Sequence, residues 1–141
     1  MTIKEIQNEI IDEFSMFDDW MQRYEYIIEL GKSLPLIQEE YKTEENLIKG
    51  CQSKVWLQGE QNDDKIVFTA DSDAILTKGI IAILIRTFSN QKAEDIINAD
   101  TQFIDEIGLK EHLSATRANG LVSMIKNIKM YALAFDAKNK N

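Results

Sequence analysis

The single cysteine of this chain, Cys51, is the side chain best suited to chemistry. It stands in Gly50-Cys51-Gln52-Ser53, where a loop is predicted to turn into a strand that begins at Lys54. A cysteine thiolate is a strong nucleophile, and a loop can present it to a partner protein. One thiol can neither form an intrachain disulfide nor supply the four cysteine ligands that an iron–sulfur cluster typically takes. The competing interpretation is that Cys51 is a small buried hydrophobe, which is the commonest fate of a free cysteine.

Three charged residues downstream are further candidates for a functional site. Asp71-Ser72-Asp73 follows a predicted strand and is expected to cap the next helix, a role that accounts for only one of the two aspartates. Arg117 falls in the first turn of the last predicted helix, where the helix dipole disfavours a cation by up to ~1 kcal/mol. We therefore predict that Arg117 faces a thiolate or persulfide at Cys51, or pairs with Asp71 or Asp73. The alternative is a surface arginine paired with another nearby carboxylate.

His112 is the only histidine and therefore a candidate acid or base near neutral pH. We favour a structural, hydrogen-bonding role for it ahead of the last helix. A hydrolase that uses Cys51 and His112 is formally possible. One cysteine and one histidine cannot build the usual four-ligand zinc site.

The N-terminal third of the chain is predicted to be helical. Apolar residues recur at three- and four-residue steps and form one stripe: Ile3, Ile6, Ile10 and Phe14. Asp18-Asp19 offers an N-cap for a second helix. That helix is expected to stop at Gly31, ahead of the only proline, Pro35.

The rest of the chain predicts a hairpin followed by helices. Lys54–Glu60 and Lys65–Ala70 flank a turn at residues 61–64, and residues 46–50 offer a possible third strand. The following helix, Ala74–Ser89, is apolar almost all round and belongs in the core, where Gly79 permits close backbone packing. Short helices over residues 93–111 precede a long amphipathic helix that Ser114 caps and that contains Gly120. This order predicts a single α+β domain over residues 1–141, with helices on one face of a small antiparallel sheet.

Composition excludes several classes of protein. A chain of 141 residues with 44% apolar residues can build one core without a metal or a disulfide. Its formal net charge of −8, without a cluster of basic residues, argues against nucleic acid as a partner. The longest apolar run, Gly79–Ile85, is far short of the ~20 residues that span a bilayer. A lone cysteine and the lack of an N-terminal apolar signal favour a reducing cytoplasm.

Several short motifs, taken in order, resemble the SufE family of sulfur-acceptor proteins over roughly Phe17 to Met130. The matching segments are Tyr24, Ile28–Gly31, Leu34-Pro35, Gly50–Ser53 with Val55-Trp56, Asp71–Ala74, Lys78-Gly79, His112-Leu113, Arg117 and Gly120-Leu121. The family usually has glycine where this chain has Ala70, a minor departure at the end of a strand.

The resemblance implies a fold like that of the iron–sulfur scaffold proteins, and a function in sulfur transfer. A SufS-like cysteine desulfurase, which carries its own pyridoxal phosphate, would pass persulfide sulfur to Cys51. The chain would stimulate that enzyme and deliver the sulfur to an iron–sulfur cluster scaffold. It would bind no cofactor itself and hold only a transient persulfide on Cys51. It would be no enzyme on its own. The oligomeric state stays open between a monomer and a weak dimer. Gly50, Gln52, Ser53, Asp71, Asp73, His112 and Arg117 would support the loop or contact the partner.

A persulfide is labile to reductants, so a carrier benefits from a shielded resting position. We expect the Gly50–Ser53 loop to hide the sulfur beside an apolar wall at Trp56 and to swing out when docked. Other functions stay open at this point: a module that activates a desulfurase allosterically with Cys51 incidental, the Cys51–His112 hydrolase, or a cluster scaffold in which several chains share ligands.

Overall fold

Seven α-helices and a three-stranded antiparallel sheet make up residues 1–140, the part of the chain that the computed structural model describes. The elements are α1 Ile3–Phe14, α2 Trp20–Gly31, β1 Val55–Asn62, β2 Lys65–Ser72, α3 Ile75–Phe88, β3 Gln91–Lys92, α4 Ala93–Asn98, α5 Gln102–Glu106, α6 Leu109–His112 and α7 Ala115–Asn139. Two short 3₁₀ turns, Glu39–Tyr41 and Glu44–Asn46, lie in the connection from α2 to β1. The α+β class is as predicted, and so is the order of elements apart from β3, which lies between α3 and α4.

The first two helices begin at side-chain caps. Thr2 and Glu5 form a reciprocal capping box at the start of α1. The Asp19 carboxylate accepts a hydrogen bond of 2.8 Å from the Gln22 backbone N–H at the start of α2, as the sequence predicted. The predicted stop of α2 at Gly31 is also confirmed.

The sheet differs from the prediction in two places. β1 and β2 pair in full from Val55–Ser72 to Asn62–Lys65, so the hairpin turn contains only two residues. Each strand ends two residues later than predicted, and β1 begins one residue later. The predicted third strand at residues 46–50 is wrong, because only Leu47 forms a bridge to β1. The third strand is instead β3, which pairs with β2 after a reversal at Asn90, where φ is +62°.

The helix α3 runs through the core and approaches α2 closely. Of its 14 residues, 11 are buried, as its all-round apolar character predicted. A Cβ on Gly79 would lie 2.1 Å from the backbone oxygen of Ile27 in α2. Glycine at position 79 therefore permits this backbone approach, which confirms its predicted role.

A partly buried network of two ion pairs and a tyrosine hydrogen bond joins the first three helices. Arg86 on α3 donates to the Glu13 carboxylate of α1 at 2.5 Å and 2.8 Å, and to Glu9 at 2.6 Å. The Tyr26 hydroxyl of α2 also donates to Glu13. Burial, followed by the hydrogen bond to Glu13, raises the pKa of Tyr26 to about 12. The bond from Arg86 lowers the pKa of Glu13.

The long helix α7 returns across the domain and packs against α3, α4 and β1. The Ser114 hydroxyl accepts from the Arg117 backbone N–H at 3.3 Å, which confirms the predicted N-cap. Among the helices of residues 1–140, none combines the length and the apolar character that a membrane crossing requires.

Candidate functional site

The loop that carries Cys51 begins at a glycine that lies close to α7. Gly50 has a φ of +94°, a left-handed conformation that side chains rarely adopt. A Cβ at this position would also lie 2.5 Å from the Ser123 Oγ atom of α7. The backbone conformation therefore favours glycine at position 50, directly before the cysteine, whereas the Ser123 hydroxyl could rotate away from a larger residue.

Cys51 is half-buried, with its sulfur against the backbone of α7. Its thiol donates to the Gly120 carbonyl oxygen, with Sγ and O 3.6 Å apart. Burial raises the pKa of the Cys51 thiol above its usual value of 9.0. The thiol is therefore protonated and partly shielded near neutral pH.

A cavity of about 310 Å³ lies next to Cys51. Its walls come from three elements: Cys51, Gln52 and Ser53 from the loop, Thr77 and Ile80 from α3, and Thr116, Arg117, Gly120 and Met124 from α7. The cavity is a small, mixed polar and apolar space with a nucleophile at its edge.

The predicted wall at Trp56 is wrong, because Trp56 is not among the residues that line this cavity. Alternate side chains of a strand point to opposite faces, and Val55 and Leu57 take the buried face. Trp56 thus points to the other face, where the Lys42 ammonium lies 5.5 Å from its ring centroid. Sequence reasoning missed the real walls at Thr77, Ile80, Thr116 and Met124. The available signal was Gly120, a glycine inside a long helix.

Arg117 lines the same cavity. The predicted alternative, in which it pairs with Asp71 or Asp73, is wrong. Its side chain is exposed, and its Nη1 atom lies 3.4 Å from the hydroxyl of Tyr24, to which it donates. Asp71 instead forms ion pairs with two lysines. The structure therefore places Arg117 at the edge of the cysteine cavity with one weak partner.

The two aspartates do not cap α3, contrary to the prediction. The N-cap position is Ala74, which has no side-chain cap hydrogen bond, because β2 extends through Ser72. Asp71 forms ion pairs with Lys42 at 2.6 Å and with Lys78 at 3.4 Å. Burial opposes the ionisation of Asp71, but the hydrogen bonds from Lys42 and the Ser72 N–H outweigh it, so its pKa is lowered.

Asp73 holds the other end of the cysteine loop. Its Oδ1 atom accepts a hydrogen bond of 3.0 Å from the Lys54 backbone N–H, directly before β1. The Asp73 N–H in turn donates to the Lys54 carbonyl oxygen at 3.2 Å. On the other side of the loop, the Ile48 N–H donates to the Val55 carbonyl oxygen at 2.8 Å. These hydrogen bonds hold the two ends of the loop and leave Cys51, Gln52 and Ser53 between them.

His112 lies away from this cavity, and it stacks on Trp20 with ring centroids 4.2 Å apart. The structure therefore does not bring Cys51 and His112 together, and it offers no support for the cysteine hydrolase. Within residues 1–140, no three His, Cys, Asp or Glu side chains come together in a way that could hold a metal ion.

The protein is an α+β domain: helices cover an antiparallel sheet, and one cysteine lies on a loop beside a small cavity. Comparison with known proteins gives its family. The family model "SufE: Fe-S metabolism associated domain" matches residues 8–132. An uncharacterized SufE-like protein of Rhizobium meliloti strain 1021 is 45% identical over 130 residues, which covers 89% of this chain and 93% of the relative. Another, from Rhizobium etli, is 44% identical over 127 residues and 86% of each chain. The chain belongs to the SufE family.

A solved structure confirms the fold at low sequence identity. The solution structure of a hypothetical protein from Thermus thermophilus matches with a TM-score of 0.76 and 14% identity, over 92% of this chain and 94% of that one. This likeness concerns the fold alone. Membership of the SufE family supports a role in Fe–S metabolism.

Proposed function

We propose that the chain is a sulfur acceptor and carrier for iron–sulfur cluster assembly. Cys51 takes persulfide sulfur from a SufS-like, pyridoxal-phosphate-dependent cysteine desulfurase and passes it to an assembly scaffold. In doing so the chain stimulates the desulfurase. The pyridoxal phosphate belongs to that partner, and the chain itself carries only a transient persulfide. A lone cysteine suits such a role in a reducing cytoplasm.

The observation that carries this proposal is that Cys51 lies on a short loop beside a small cavity. The half-buried sulfur borders about 310 Å³ of space, which has room for one more sulfur atom. A persulfide at this position is partly shielded from solvent reductants. The two ends of the loop, held by the Ile48–Val55 and Lys54–Asp73 hydrogen bonds, allow the residues between them to move without disturbing the sheet.

The transfer step is a thiol–persulfide exchange that needs no external oxidant. The Cys51 thiolate attacks the outer sulfur of the donor persulfide, and a bond forms between that sulfur and Sγ. The sulfur–sulfur bond in the donor breaks, and the donor cysteine leaves as a thiolate. The outer sulfur, with its proton, then resides on Cys51. The same exchange in the next step delivers the sulfur to the acceptor.

The raised pKa of the resting thiol has a consequence for this step. A protonated, half-buried sulfur is a poor nucleophile, so transfer requires Cys51 to leave the Gly120 carbonyl and to ionise. Arg117 stands at the cavity edge, where its charge would favour the thiolate once Cys51 moves. We therefore expect exchange to be fast only in the complex with the desulfurase.

Desulfurase stimulation by a cysteine variant separates a carrier from an allosteric module. Sulfide release from L-cysteine by the desulfurase is measured with reductant present, with and without this chain. We expect Cys51→Ser to abolish the stimulation, and the control variant Ser15→Ala, at an exposed serine after α1 and outside the site, to retain it. Full stimulation by Cys51→Ser would identify an allosteric module in which the thiol is incidental.

A further inference from the structure

Gly120 stands in the interior of the 25-residue helix α7, where glycine is an unfavourable residue. It is not at a helix end, and its backbone continues the helix. Helix propensity therefore does not explain glycine at position 120, whereas the close approach of another part of the chain would.

The close approach at Gly120 is made by Cys51. A Cβ on Gly120 would lie 3.3 Å from Sγ, 3.7 Å from the Cα atom and 3.8 Å from the Cβ atom of Cys51. The carbonyl of the same glycine accepts the hydrogen bond from the thiol. Gly120 thus provides both the space in which the sulfur lies and the acceptor that holds it there.

We propose that Gly120 is a positioning residue for the sulfur-transfer reaction, because it keeps Cys51 in its shielded position against α7. The role in transfer rests on the proposed function, whereas the role in shielding concerns the thiol alone. A methyl group at position 120 requires Cys51 to give way by a few tenths of an ångström. Since the hydrogen bonds of Ile48 with Val55 and of Asp73 with Lys54 hold the loop ends, the displacement falls on Cys51 and lengthens its bond to the carbonyl.

Substitution of Gly120 should change the stability of the protein and the reactivity of the Cys51 thiol in different ways. Alanine is a better helix former than glycine, so Gly120→Ala favours α7 itself. The same change loosens the contact that shields the cysteine. We therefore expect a melting temperature at or above that of the wild type, together with a more reactive thiol.

The test measures alkylation of Cys51 by iodoacetamide in the wild type, Gly120→Ala and Asn119→Ala. Asn119 is the matched control, because it is the exposed neighbour in the same helix. We expect roughly three- to tenfold faster alkylation in Gly120→Ala, since local opening is the step that exposes the thiol. Asn119→Ala should react at the wild-type rate.

The pH profile of alkylation is a readout that a general loss of stability would not shift. Burial raises the pKa of the Cys51 thiol, so its displacement should move the midpoint of alkylation to lower pH in Gly120→Ala. Dilute, non-denaturing urea distinguishes local from global opening. A local movement exposes little surface and should leave the alkylation rate insensitive to urea.

Equal alkylation rates and equal pH midpoints in all three proteins would overturn the positioning role. Faster alkylation that rises steeply with urea would also overturn it, because global unfolding would then be the cause. If the shielding effect holds, a Cys51 persulfide on Gly120→Ala should lose its sulfur to dithiothreitol sooner than on the wild type. Failure of the wild type to accept any sulfur would contradict the proposed function, yet leave the alkylation result intact.

Discussion

Cys51 and Arg117 border the same cavity, but they differ in burial and in hydrogen bonding. The cysteine is half-buried and hydrogen-bonded, whereas the arginine is exposed with one 3.4 Å contact to Tyr24. A cation in the first turn of a helix is unfavourable, and this weak contact does little to offset it. We therefore propose that Arg117 serves at the cavity rather than in folding.

Replacement of Arg117 tests this role. We expect Arg117→Ala to leave the melting temperature nearly unchanged and to slow persulfide formation on Cys51 several-fold, because the charge that favours the thiolate is lost. The rate is measured by quenching the reaction with the desulfurase at intervals. Lys138→Ala is the control, since it removes one positive charge about 30 Å further along the same helix. An unchanged rate would remove Arg117 from the site, and a large loss of stability would identify a structural ion pair.

Among the elements, the junction of α1, α2 and α3 depends on the ionised state of Glu13. Its folded pKa is lowered from 4.5, first of all by the hydrogen bond from Arg86. A lowered pKa means that the folded state holds the proton less tightly than the unfolded state. The stability that Glu13 contributes is therefore full above about pH 4.5 and is lost as the pH falls through the folded pKa.

The variant Glu13→Gln removes the pH-dependent stability that the Glu13 carboxylate contributes. We expect it to cost about 1–2 kcal/mol of unfolding free energy at neutral pH, as for a partly exposed, charge-assisted hydrogen bond. Below about pH 4.5 the difference from the wild type should narrow, which urea unfolding at several pH values would show. A difference that stays constant from pH 7 to pH 3 would contradict the assignment.

At this scale the sequence predicted the helices well and the surroundings of the site less well. Local signals sufficed for the helix caps at Asp19 and Ser114 and for the buried helix α3, because capping and periodicity depend on neighbouring residues. The cavity walls could not be predicted, because they depend on how α3 and α7 pack over the loop. Asp71 shows the same limit: its position suggested a cap, but two distant lysines and a longer strand decided its role.

For the whole molecule, the proposed role depends on other proteins. The chain has 141 residues and one cysteine, and the resemblance assigns the cofactor to the desulfurase. We expect the purified protein to be colourless, to show no absorbance from pyridoxal phosphate, and to release no sulfide from L-cysteine. Absorption spectra and a sulfide assay check this, with the desulfurase alone as the positive control. Sulfide release by the isolated chain would show that it is an enzyme in its own right.

The most direct test of sulfur acceptance is the intact mass of the protein after incubation with a cysteine desulfurase and L-cysteine. The wild type should gain one sulfur atom, about 32 Da, that dithiothreitol removes, as expected for a persulfide. Cys51→Ser, incubated in the same way, should keep its original mass. A wild-type protein that gains no mass, or a Cys51→Ser variant that gains the same 32 Da, would contradict the account in which Cys51 is the sulfur carrier.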